Sequence, residues 1–205
     1  MTVMVVAEIQ GMTTEQYDRL IEAMGFRESD PPEGLISHVA GPTEDGLLVV
    51  DVWESGEAFG RFFESGMGAA SEAGVEVPQV EPRLAPVHNH IPEGQGTEPG
   101  VIVFLELEGF GPDAYDATTA SMDAHAGDGS NHPSVSHVAA VTDDGLIVVD
   151  VWDSPESFGR FAEEEIGPAG EAAGLGPVEP RVVPLHNRIR DTRGAGPHRH
   201  QRRGA

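Results

Sequence analysis

The sequence predicts an α+β fold made of two copies of one β-α-β-β-α-β unit. The first observation is an internal repeat: Ser37 to Phe62 and Ser136 to Phe161 agree at 19 of 26 positions, and the turn glycines Gly46 and Gly145 lie 99 residues apart. The second is the order of apolar patterns within each copy, with strand-like alternation before and after each helical stripe. The third is length, since 205 residues divide into two units of about 90, each large enough for its own core.

Val3 to Ile9 is β-branched and apolar and ends at Gly11, so it reads as the first strand. Thr13-Thr14-Glu15-Gln16 fits a capping box, and Tyr17, Leu20, Ile21 and Met24 form one apolar stripe of the helix that follows, which ends near Gly25. Leu35 to Ala40 and Leu47 to Glu54 read as a hairpin closed through Asp45-Gly46. With Ala40 facing Leu47, alternation puts Ile36, His38, Val49, Asp51 and Trp53 on one face and Leu48, Val50 and Val52 on the other. The aliphatic set suits a helix-covered side and the mixed set a cavity.

Ser55 caps the second helix, with Phe59, Phe62, Phe63 and Met67 as its stripe; Gly66 and Gly68, like Gly167-Pro168 in the second copy, are expected to break it, with a short helical turn to follow. Ser154-Pro155 starts the equivalent helix with proline at the first helical position. Val80 to Ile91 is the last strand, matched by Glu179 to Ile189, and its prolines place it at an edge or make it bulged. The units therefore run over 1–91 and 101–190, joined by a Pro/Gly linker at 92–100. In the second copy Thr118 and Thr119 replace Leu20 and Ile21, and Asp123 to Pro133 reads as a mobile loop. The Arg/His-rich tail, 191–205, has no apolar pattern and is expected to be disordered.

The net charge is −23, and six of the twelve basic residues lie in the last 18 positions. So acidic a body repels nucleic acid and anionic membrane. Without cysteine there are no disulfides or thiolate metal sites, and no signal or membrane-spanning run is seen. The expectation is a cytoplasmic protein.

A four-stranded sheet with both helices on one face leaves a bare face, which two copies can cover for each other. In this respect, and in the junction Val49-Val50-Asp51-Val52-Trp53-Glu54-Ser55 with Glu57-Ala58-Phe59, repeated from Val148, the chain resembles antibiotic-biosynthesis-monooxygenase-like domains of the dimeric α+β barrel superfamily. The resemblance implies two ferredoxin-like repeats forming an intrachain pseudo-dimeric α+β barrel, a monomer that can pair further. It also implies a ligand cavity, and in several members cofactor-free oxygenation of aromatic polyketides. Haem degraders of that family use an Asn on the first strand, a Trp on the third and a His on the second helix. Only Trp53 and Trp152 match here, which argues against haem.

His38, Asp51 and Trp53, repeated as His137, Asp150 and Trp152, are the candidate site. A carboxylate can orient the imidazole and raise its basicity, so that it takes a proton from a phenol or 1,3-dicarbonyl carbon. Trp53 then supplies an apolar wall for an aromatic ligand. The competing reading is a hydrogen-bonded pair that closes the barrel, with Trp53 as packing. His88-Asn89 and His186-Asn187 recur near the end of the last strand as further ligand-binding candidates, at most one of each pair entering a given cavity. Glu8 and Glu106 either face the same cavity or lie exposed at a strand end. The tail's Pro197-His198-Arg199-His200 reads as a solvated end. No cofactor and no metal site is expected, and the partner is a small-molecule ligand.

Overall fold

A computed structural model describes residues 1–76, 78–93, 97–122 and 133–190. The expected mobile loop, apart from Pro133, the middle of the linker and the whole tail lie outside the described residues. The first set of elements is β1 (Val3–Gln10), α1 (Thr14–Ala23), β2 (Leu35–Thr43), β3 (Gly46–Trp53), α2 (Gly56–Glu72) and β4 (Arg83–Ile91). The second is β5 (Val101–Glu108), α3 (Pro112–Ser121), β6 (Ser136–Val141), β7 (Gly145–Trp152), α4 (Pro155–Phe161), α5 (Gly167–Ala172), β8 (Arg181–Pro184) and β9 (Asn187–Arg190). A π-helical turn, Ala162–Ile166, joins α4 to α5.

Local signals act as the residues dictate. Thr13 and Gln16 close a reciprocal capping box on α1. Ser55 and Ser154 cap α2 and α4 by accepting from the N–H groups of Ala58 and Ser157. At Gly46 the backbone comes so close to β1 that a Cβ would stand 2.1 Å from the Ile9 carbonyl oxygen; Gly145 repeats this against Leu107. Only glycine fits either turn.

The strands form one sheet in the order β8-β5-β7-β6-β4-β1-β3-β2-β9. Its two ends, β8 and β9, are separated in the chain by only Leu185 and His186, whose N–H groups bond to Gly100 and Ala40. The sheet therefore closes on itself. β4 makes the equivalent seal, pairing with β1 through Arg83–Pro86 and with β6 through Val87–Ile91, with a register shift between Val87 and Asn89. The proline-bearing strand is thus bulged, and β4 is an internal seam rather than an edge.

The closed sheet corrects the assignment of faces. Leu48, Val50 and Val52 do not lie under helices: with Met4, Val6, Ile102, Phe104, Ile147 and Val149 they fill the barrel interior. The helices cover the other face, where Trp53 packs with Val3, Val5, Phe26 and Leu35. Alternation separates two faces but does not say which one a helix will cover, and the second half of the barrel supplies the cover for the aliphatic one. Two further details differ. Ala40 pairs with Val49 rather than Leu47, a shift of two that preserves the faces, and an irregularity between Leu35 and Ser37 turns Ile36 toward the barrel core, away from His38.

Gly66 and Gly68 do not break α2, which runs on to Glu72. Gly66 is instead a contact point, since a Cβ there would stand 2.9 Å from Met24 Cε. In the second half Pro168 cannot donate to the residue four before it, and the chain passes through the π-turn into α5 without stopping.

At the seam a Cβ on Gly41 would lie 2.2 Å from the Pro184 carbonyl oxygen. Gly41→Ala is therefore expected to push β8 off β2 and cost about 1–3 kcal/mol, as overpacking does. Chemical denaturation checks this; an unchanged midpoint would mean the seam is not a close backbone contact.

Candidate functional site

Each half carries a chain of buried hydrogen bonds between its helices and the sheet. In the first, Tyr17 Oη lies 2.5 Å from His38 Nε2, and His38 Nδ1 lies 2.6 Å from Asp51 Oδ1. Trp53 Nε1 donates to Asp51 Oδ2 at 3.2 Å, and Asn187 Nδ2, from the second half, donates to Tyr17 Oη at 3.1 Å. The other half repeats this: Asn89 to Tyr115 (2.9 Å), Tyr115 with His137 Nε2 (2.6 Å), His137 Nδ1 with Asp150 (2.7 Å). His38, Asp51, His137 and Asp150 are all buried. His38 and Asp51 meet because they are direct partners in the β2–β3 register, as are His137 and Asp150 between β6 and β7.

The donors can be assigned by counting hydrogens. An ionised Asp51 only accepts, so His38 carries its hydrogen on Nδ1, and Nε2 accepts from Tyr17 O–H, whose oxygen accepts from Asn187. The chain runs one way, Asn to Tyr to His to Asp. Burial, above all, drives the Tyr17 phenol well above its ordinary range; the Asn187 bond opposes this, and the Asp51 and Asp18 carboxylates add to the rise. Tyr115 is pushed up to about 12 by burial, with Asn89 opposing and Asp150 and Asp116 adding. Both phenols thus keep their protons at neutral pH and remain donors to the imidazoles.

Each chain borders a cavity between sheet and helices. The first, about 80 Å³, is walled by Tyr17, His38 and Asp51 with apolar residues that include Leu20, Ile21, Phe26, Phe59 and Phe62. The second, about 90 Å³, is walled by Tyr115, His137 and Asp150 with Leu105, Thr118, Thr119 and Phe161 among others. Trp53 and Trp152 are not on either wall. Both are fully buried behind the carboxylates, packed on Phe59 and Phe62 or on Phe158 and Phe161. The indole N–H of Trp152, unlike that of Trp53, has no hydrogen-bond partner among the described residues.

His88 and Asn89 divide their work. Asn89 reaches the tyrosine, while the more exposed His88 pairs with Asp116 at 2.7 Å, and Asn187 and His186 do the same with Tyr17 and Asp18, His186 to Asp18 at 2.8 Å. None of the four is on the described wall of either of these two cavities. Glu8 and Glu106 are on the described wall of neither of these two cavities. They share the barrel-interior face at one mouth, where Arg181 grips Glu8 at 2.9 and 3.0 Å and Arg83 reaches Glu106 at 2.6 Å, exposed pairs that link the two halves. Exposed pairs of this kind contribute little to stability.

Helical periodicity alone assigns Tyr17 and Tyr115 to packing, and it misses their hydroxyls. They are the chain's only two tyrosines, each followed by aspartate at matched places in the repeat. That coincidence is the signal the sequence offers for them.

His90, beside His137 on the neighbouring strand, has its pKa lowered by burial and then by the His137 charge. Folding therefore favours uncharged His90, and stability falls as pH drops through the ordinary histidine value of 6.5. His90→Asn is expected to flatten the melting temperature between about pH 7 and 5; an unchanged slope would place the proton uptake elsewhere.

No family model matches the chain, and no curated protein does. Solved structures do. The chain is similar to a candidate monooxygenase from Fusobacterium nucleatum (TM-score 0.68, 7% identity, covering 93% of this chain and 94% of that one) and to one from Lactobacillus acidophilus (0.64, 10%, 92% and 96%). It is also similar to an anthrone oxidase-like protein (TM-score 0.52, 16% identity, 91% and 92%). At these identities the likeness is one of fold, an α+β fold shared with monooxygenase-like proteins. No helix among the described residues is long and apolar enough to cross a membrane.

Proposed function

We propose that the chain is a tandem duplication folded as an intrachain pseudo-dimeric α+β barrel, and that it binds small molecules in its two helix-covered cavities. On this reading it is a cofactor-independent monooxygenase acting on an aromatic or polyketide-like substrate with an acidic C–H or phenolic proton. The observation that carries the proposal is the one-way chain Asn–Tyr–His–Asp, present twice, whose Tyr, His and Asp members wall a largely apolar cavity. The similarity to an anthrone oxidase-like fold supports the reaction class.

The substrate gives its proton to the tyrosine oxygen as that tyrosine passes its own to His Nε2. The imidazolium that results sits against the Asp carboxylate, which stabilises it. The carbanion left behind transfers an electron to O2. Radical and superoxide recombine to a peroxide anion, which takes the proton back from the imidazolium through the tyrosine to give a hydroperoxide. Loss of the remaining C–H proton with hydroxide, as water, leaves a ketone, so CH2 and O2 become C=O and H2O. Asp and Asn, joined by Trp53 in the first half, are positioning residues; only Tyr and His carry the proton.

A second reading, a non-enzymatic ligand-binding or structural barrel, is favoured by cavity size. At about 80 and 90 Å³ both cavities are smaller than the roughly 150 Å³ known to admit benzene. A substrate with several rings enters only if helices and sheet part. Oxygen uptake with anthrone-like and phenolic substrates separates the readings: turnover that disappears in the His38→Ala/His137→Ala double variant is expected, and its persistence there would remove histidine from the mechanism.

A further inference from the structure

Each cavity is closed by the first helix of its own half, and that helix is tied down by residues of the other half. Tyr17, Leu20 and Ile21 of α1 wall the first cavity, as Tyr115, Thr118 and Thr119 of α3 wall the second. The neighbours Tyr17 and Asp18 are held by the neighbours Asn187 and His186: Asn187 donates to Tyr17 at 3.1 Å, and His186 Nε2 lies 2.8 Å from Asp18 Oδ1. On α3, Asn89 and His88 hold Tyr115 and Asp116 in the same way, at 2.9 and 2.7 Å. The outer histidine rings also stand edge-on to the tyrosines, with centroids 5.9 and 5.5 Å apart. The backbone on either side of α1 has room to move. Gly11 and Gly25 flank it at φ of 70° and 79°, with nothing within 4 Å of where a Cβ would stand, and glycines so placed absorb the tilt of a helix.

We propose that α1 and α3 are the doors of their cavities, and that His186 and His88 are latches, each supplied by the opposite half, that set how readily a ring larger than the closed cavity enters. The inference rests on the reading that both cavities take small molecules. A shut door places Tyr Oη against His Nε2. Tilting it off the sheet widens the cavity and parts those two atoms, so that entry and proton transfer alternate. The latch histidines are 30% and 25% exposed and their aspartates more so, which lets water replace the bond when the door opens. Each latch therefore accounts for about threefold to fivefold in the opening equilibrium and little of the overall stability.

The chain has no cysteine, so one introduced on the sheet beneath a door is the only thiol in the protein. Val5→Cys places it in the wall of the first cavity, Val148→Cys in that of the second and Val50→Cys in the barrel interior, each a small change at a buried valine. Dithiodipyridine has two rings and fits neither closed cavity, so its labelling rate reads the opening of the structure above each thiol. His186→Ala is expected to speed labelling of the Val5→Cys protein about threefold to fivefold and to leave Val148→Cys and Val50→Cys unchanged. His88→Ala should act on Val148→Cys alone. Each latch thus governs the cavity of the half to which it does not belong. An unchanged rate for Val5→Cys in the His186→Ala background would overturn the proposal, as would an equal rise at Val50→Cys, the mark of a general loss of stability. The expected pattern without binding of indole or uptake of oxygen would leave the doors standing and overturn the functional reading instead.

Discussion

Replacing Tyr17 and Tyr115 together by Phe is expected to lower the rate of proton removal from substrate by roughly 10²–10³, the size of a lost acid–base group. Each phenol is the link between cavity and imidazole, at 2.5 and 2.6 Å from Nε2, and burial holds its proton in place. The Phe ring keeps the packing against α1 and α3 but leaves Nε2 and the Asn amide without a partner. A stability loss of about 1–3 kcal/mol should accompany the change. The readout that separates chemistry from folding is the pH profile of kcat measured well below the variant's melting temperature. If the rate per folded molecule is unchanged, the tyrosines are structural and the histidines act directly. Single variants should each lose about half the activity if both sites work on the same substrate.

The second large effect is expected for Asp51→Asn, and it should differ from Asp150→Asn. An amide in place of the Asp51 carboxylate must aim an N–H at either His38 Nδ1–H or Trp53 Nε1–H, both of which donate to the carboxylate. If the imidazole answers by moving its hydrogen to Nε2, it then meets the Tyr17 hydroxyl as donor, and the whole chain reverses. A rate loss on the order of 10⁴ at that site is expected from the wrong tautomer, by analogy with other carboxylate–histidine pairs. In the second half Trp152 makes no competing bond, so the amide nitrogen introduced at Asp150 can lie on the indole side while its oxygen still accepts from His137. Asp150→Asn should therefore be the milder change, in activity and in melting temperature. Equal effects would show that the indole bond does not fix the carboxylate.

Much of the fold is legible because its signals are local. The capping box at Thr13, the serine caps and the Asp45-Gly46 turn each act over three or four residues, and the hairpin that they frame places His38 opposite Asp51. What sequence alone leaves open is decided across the seam. Whether Leu48, Val50 and Val52 face helices or another sheet depends on where the other half sits, and β4 and β9 escape edge status only because they pair with strands of the opposite half. Gly66 reads as a breaker until Met24 is seen against it.

The candidate site follows the same division. The His–Asp pair can be read from register, but Asn187 reaching Tyr17 spans 170 residues, and no periodicity encodes it. Trp53, expected on a cavity wall as the largest apolar surface available, instead braces the carboxylate from behind. Each site is thereby composite, with its proton chain beginning on a strand of the other half. A half expressed alone would lack the Asn that orients its tyrosine.

The central claim is that this chain of residues takes a proton from carbon, and isotope exchange tests it without involving oxygen. Under nitrogen, in deuterated buffer, ethyl acetoacetate should exchange its acidic C–H for deuterium faster with the protein than without it, and the acceleration should disappear in Tyr17→Phe/Tyr115→Phe. Exchange at the buffer rate in the presence of saturating wild-type protein would contradict the account and leave the barrel as a binding protein.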